Sequence, residues 1–247
     1  MTTTTNVVSS DLLDTPAARK PSDREAASAL ILDTPSMRFA NRPSWSLRVG
    51  DDHMLSAALW IRDAAGLVVE SDDVPPPLLV PPPASAILDG EDLEAVGLDW
   101  LRWWRALVAI QLDRPDAPPQ TTTPSHSREW IGATYERLVD TGEPVDGFAG
   151  LARAPALQRA CDGLFRQASR ARTGPTRFET ETPWTLYRQV VHEVAAAHAL
   201  DPNVLSGDVL VTPTGGGWWR VLGPGFVITS DDAPAGDVVR AAIESRI

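Results

Sequence analysis

The strongest periodic signal in the chain lies in residues 91–111. Leu93, Val96, Trp100, Trp103, Trp104 and Leu107 recur at helical spacing and form one broad apolar face, with Arg102 and Arg105 off it. Asp89 is placed to cap this helix, Asp92 suits its positive end, and Pro115 stops it. A second amphipathic helix is predicted over residues 155–171, with Leu157, Ala160, Cys161, Leu164 and Ala168 as its buried stripe. Thr182-Pro183 is a start signal for a third, running to Ala199 with Trp184, Tyr187, Val191, Val194 and His198 on one face. Shorter helices are expected at residues 26–32, 127–140 and 237–246.

Between these stretches the pattern turns to short apolar runs bounded by turn residues. Strands are predicted at residues 46–49, 53–62, 67–71, 208–212, 218–222 and 226–230. Asp63-Ala64-Ala65-Gly66 reads as the turn of a first hairpin and Gly223-Pro224-Gly225 as that of a second. Trp60 and Gly66 align without a gap on Trp219 and Gly225, so the two hairpins read as similar, by duplication or by convergence. The pattern as a whole predicts an α+β fold. It takes the form of two small lobes, or one mixed antiparallel sheet, with β-hairpins packed against four or five amphipathic helices. The expected organisation is a disordered tail (1–22), an acidic N-terminal lobe (23–115), a linker (116–128) and a helical and β-hairpin lobe (129–247).

One segment fits neither period. Val74-Pro75-Pro76-Pro77-Leu78-Leu79-Val80-Pro81-Pro82-Pro83 must be extended, because proline fixes φ and cannot donate to a ladder. It contains no P-x-x-P spacing, which argues against an SH3 ligand, and it reads as a stiff connector over the first lobe.

Charge and composition narrow the function classes. Net charge is −11, and residues 51–100 hold eleven acidic residues against a single basic one, Arg62. Such a lobe disfavours nucleic-acid binding, which needs cations against phosphate. No run approaches the roughly 18 apolar residues of a membrane span, and residues 1–10 lack the pattern of a secretory signal, so a soluble cytoplasmic protein is expected. Cys161 is the only cysteine, which excludes an internal disulfide and a cysteine-rich zinc site. Neither a metal nor a cofactor is expected.

The motifs that resemble catalytic signatures resolve into structural ones. His192 and His198 are six residues apart, roughly 120° around a helix, whereas a zinc-protease helix sets its histidines four apart. His198 falls on the apolar stripe and His192 on the polar face. Asp140-Thr141-Gly142 has no second copy to supply the partner carboxylate of an aspartic protease and reads as a helix stop. Cys161 sits on an apolar stripe, the setting of a core thiol. Gly215-Gly216-Gly217 lacks the lysine of a phosphate-binding loop.

Two surfaces remain. Arg159, Arg166 and Arg170 share a helix face opposite Cys161 and are candidates for an anionic ligand or acidic partner. Trp103 and Trp104 on their helix, and Trp218 and Trp219 in their strand, are candidate interface aromatics. Adjacent strand residues point to opposite faces, so one of Trp218 and Trp219 is exposed or covered by another element. The leading expectation is a non-enzymatic interaction or adaptor protein with a protein partner. The alternatives are a small hydrolase with a carboxylate or histidine site, and an anion-binding module using the arginine face.

Overall fold

The protein forms one mixed four-stranded sheet with helices on both of its faces. The structure is a computed structural model that describes residues 45–112, 148–171 and 176–247, all within one unit spanning Ser36–Ile247. In chain order the elements are β1 (Ser46–Gly50), α1 (His53–Ala64), α2 (Leu93–Leu112), α3 (Pro155–Arg170), α4 (Arg177–Glu181), α5 (Trp184–Ala197), β2 (Ser206–Thr212), β3 (Trp219–Gly223), β4 (Phe226–Ser230) and α6 (Ala235–Glu244). The helices expected at 26–32 and 127–140, the tail, the linker and Asp140-Thr141-Gly142 lie outside the described residues.

Strand order is β1-β2-β4-β3. β1 pairs parallel with β2, β2 parallel with β4, and only β3 runs antiparallel, on β4. Alternation across the two central strands sorts the core into two layers. Leu210, Phe226 and Ile228 join the residues of α1, α2 and α3, whereas Val209, Val211 and Val227 join those of α5 and α6. Burial on both faces explains why β4 opens on three consecutive apolar residues, Phe226-Val227-Ile228, instead of alternating. Among the described residues five α-helices have ten residues or more. The α+β fold is therefore built on a single sheet, to which the N-terminal half contributes β1 and the C-terminal half the other three strands.

The first predicted hairpin is absent. Residues 53–62 are helical, because Asp52 caps the segment by accepting from the Leu55 N–H at 3.0 Å and because alanine-rich sequence favours helix over strand. Gly66 has φ +68°, as a hairpin turn would need, but it closes α1. Its N–H donates to the Asp63 carbonyl and the Leu67 N–H donates to the Arg62 carbonyl, the double bond of a Schellman cap. Residues 67–71 form no strand. The likeness to Trp219 and Gly225 thus reflects a shared need for glycine at positive φ, since Gly225 does turn the β3–β4 hairpin at φ +74°.

Two details of the helix ends also differ from the sequence reading. Asp92, not Asp89, caps α2, accepting from the N–H groups of Glu94 and Ala95 at 3.1 and 3.2 Å. His198 is exposed, not on the buried stripe: α5 ends at Ala197, and Ala199 at φ +54° turns the chain off the helical phase. The stripe of α3 is buried throughout, as its spacing predicts.

Candidate functional site

The proline-rich segment is held to the body by a buried ion pair at the end of α1. Arg62 is 4% exposed. It sits beneath the strap with its guanidinium carbon 5.7 Å from the centroid of the Trp100 ring. All three nitrogens of the guanidinium donate. Nη1 donates to the Pro75 carbonyl at 2.6 Å, Nη2 to the Pro76 carbonyl at 3.0 Å, and Nε to Asp63 Oδ1 at 2.6 Å. Asp63 Oδ2 in turn accepts from the Leu78 N–H at 2.7 Å. Proline carbonyls have no N–H beside them to form a ladder, so a buried arginine is a suitable partner for two in succession.

Both ends of this clamp are extended by further contacts. Upstream, Arg105 donates to both carboxylate oxygens of Asp73, at 2.8 and 3.2 Å, and Trp104 Nε1 donates to the Asp73 carbonyl at 3.1 Å. Arg105 is the main reason the Asp73 carboxyl lies below its ordinary value, with Ser71 adding to it. Downstream, the Leu79 N–H donates to the Pro213 carbonyl at 3.0 Å, and Leu78 bridges to Thr214 just after β2. The chain is fixed again where the Ser85 N–H meets the Ala64 carbonyl at 2.7 Å. Ile87 then packs onto Gly163 of α3, where any Cβ would lie 2.3 Å from its Cδ1.

Between these anchors the chain stands clear. Val80 is 78% exposed and Leu79 51%. Pro81, Pro83 and Ala84 are exposed and Pro82 half-buried. Among the described residues no hydrogen bond ties the backbone of residues 80–84 to the rest of the protein. The span carries no titratable group; it presents apolar side chains and carbonyl acceptors on a backbone set by proline.

The glycine loop beside this strap is occupied by the protein itself. Gly216 and Gly217, at φ +88° and +64°, turn their N–H groups onto Asp232 at 2.9 Å each, and Ser230 donates to the same carboxylate at 2.8 Å. The Gly217 N–H, followed by Ser230 and the Gly216 N–H, holds the Asp232 carboxyl below its ordinary value. A phosphate-cradling role is thereby excluded in this conformation, because an internal anion already fills the donors.

The chain shows significant similarity to no protein-family model, no curated protein and no solved structure.

The other candidates are dispersed over the fold. Trp103 and Trp104 are buried in the core at 3% and 0% exposure and offer no ring to a partner. Trp218 and Trp219 are both half-buried; Trp218 packs on the α1–α3 core and Trp219 on the α5–α6 core, on opposite sides of the sheet. Arg159 pairs with Glu91, so the acidic segment before α2 neutralises the first member of the arginine face. Arg166 and Arg170 are exposed and make no ion pair among the described residues. Cys161 is fully buried, and burial pushes its thiol far above the reactive range. Among the described residues no helix is long and apolar enough to cross a membrane, and no three His, Cys, Asp or Glu side chains are grouped to hold a metal.

One arrangement bears on the hydrolase alternative. Ser169 Oγ lies 3.3 Å from His53 Nε2, and the His53 ring stands edge-on to Phe165. Ser169 is in the last turn of α3, at the negative end of the helix dipole, where a developing oxyanion is disfavoured. Sequence reasoning missed Arg62 and Asp63, the residues that organise the strap. The available signal was charge: Arg62 is the only cation among residues 51–100.

Proposed function

We propose that this protein is a non-enzymatic interaction module that offers residues 80–84 to a protein partner. The observation that carries the reading is the exposure of Val80, at 78%, within an apolar span whose two ends are fixed to the body. Exposed apolar side chains cost solvation, and a contiguous set of them on a held backbone marks a contact surface. The absence of any charge from residues 74–88, in a chain of net charge −11, favours an apolar contact over an ionic one.

The test is site-specific photo-crosslinking of the full chain in extract of its own host. With p-benzoylphenylalanine at Val80, a discrete adduct is expected that excess unmodified protein suppresses. The same label at Val204, which is also exposed, is expected to give none. Identical products from both positions would refute the reading.

A further inference from the structure

We infer that the partner reads this span as a polyproline II ridge, through a groove lined by tryptophan and tyrosine. This rests on the interaction reading above and adds the chemistry of recognition. Pro81, Pro82 and Pro83 each have φ fixed near −65°, and Val80, Pro81 and Pro82 each precede a proline, which holds them extended. Residues 81–83, past the bend at Leu79 and Val80, are therefore confined to the polyproline II region before any partner arrives, and much of the conformational cost of binding is already met.

The threefold repeat of that helix decides which side chains form the ridge. Pro81 and Ala84 lie on one edge and Pro83 on the next; all three are exposed, as is Val80 at the bend before them. Pro82, half-buried, lies on the third edge and faces the body, while Leu79, before the bend, is half exposed and touches Gly215, where a Cβ would meet its Cδ2 at 2.6 Å. Two of three edges are thus presented and one is docked. Aromatic rings fill the notches between such ridges, and their N–H and O–H groups donate to free carbonyls such as those of residues 80–84. No charged residue lies between Asp73 and Asp89, so orientation does not come from an arginine–carboxylate pair, in agreement with the absence of P-x-x-P spacing. Ring stacking and carbonyl acceptance are the interactions left to the partner.

The experiment uses the Val80 photo-crosslinker in the full chain, with two added conditions. Excess deca-L-proline is expected to suppress the adduct, while a Gly-Ser peptide of equal length leaves it. Replacing all three of Pro81, Pro82 and Pro83 with alanine is expected to lower adduct yield about tenfold, because three pre-set φ angles are given up. The melting temperature of that variant is expected to fall by several degrees, because alanine frees the unfolded chain, so adduct yields are compared at a temperature where both proteins are folded. An adduct that survives deca-L-proline, or one at twice the mass of the chain that marks a second copy as the occupant, would overturn the aromatic-groove inference and leave the interaction reading standing. No adduct at all would remove both.

Discussion

Replacing Arg62 with methionine is expected to destabilise the protein by about 3–5 kcal/mol, the usual cost of breaking a buried ion pair by removing one partner. Methionine keeps most of the volume and none of the hydrogen bonds. It strands the Pro75 and Pro76 carbonyls and leaves Asp63 with its charge uncompensated beside the core. In urea unfolding the midpoint falls by roughly 1–2.5 M at a slope of about 2–3 kcal/mol per molar. Arg62→Lys recovers little, because an ammonium cannot fork to two carbonyls and a carboxylate at once. The charge argument has its own check. Adding Asp63→Asn to Arg62→Met removes the stranded charge while an amide oxygen still accepts from Leu78, so the double variant is expected to be more stable than Arg62→Met alone. A double variant equal to or weaker than the single would show that the cost lies in packing.

The second large effect is expected at Trp100. Its ring is fully buried, stacks on Trp104 at 5.5 Å between centroids and carries Arg62 on its face. Trp100→Ala opens a cavity in the core shared by α1 and α2 and is expected to cost about 3–5 kcal/mol. Trp100→Phe keeps an aromatic face for Arg62, gives up the Nε1 hydrogen bond to the Ala58 carbonyl, and is expected to cost about 1–2 kcal/mol. Because Trp100 and Arg62 touch, Trp100→Ala and Arg62→Met are expected to combine to less than their sum. Strict additivity in a double-mutant cycle would remove Trp100 from the clamp.

How much of this was legible follows from where period and burial coincide. The stripe of α3 and the limits of β4 could be read residue by residue, because α3 is polar on one side and β4 stops at turn residues on both. α1 could not. Met54, Leu55, Ala57, Ala58, Leu59, Ile61, Arg62 and Ala64 are all buried, so the helix has almost no polar face and its period is erased. The glycine that ends it serves a hairpin equally well. The parallel pairing of β1 with β2 joins residues about 160 positions apart, and no local pattern encodes such a register. The strap was legible as extended, because proline chemistry is local. Its clamp was not, because a buried arginine in sequence looks like an exposed one. The arginine face was read correctly as a face, but its pairing with Glu91 depends on a tertiary approach that spacing does not contain.

The central claim is that residues 80–84 are displayed between two fixed anchors, and hydrogen exchange of the backbone amides tests it most directly. Prolines are silent, which leaves Val80 and Ala84 as reporters inside the span and Leu78, Leu79 and Ser85 as reporters at its anchors. The account predicts that the anchor amides exchange at least about a hundredfold more slowly than unprotected ones, while Val80 and Ala84 exchange at close to free rates. Protection of Val80 and Ala84 matching that of Leu79 would contradict it, because the span would then be bound down along its whole length.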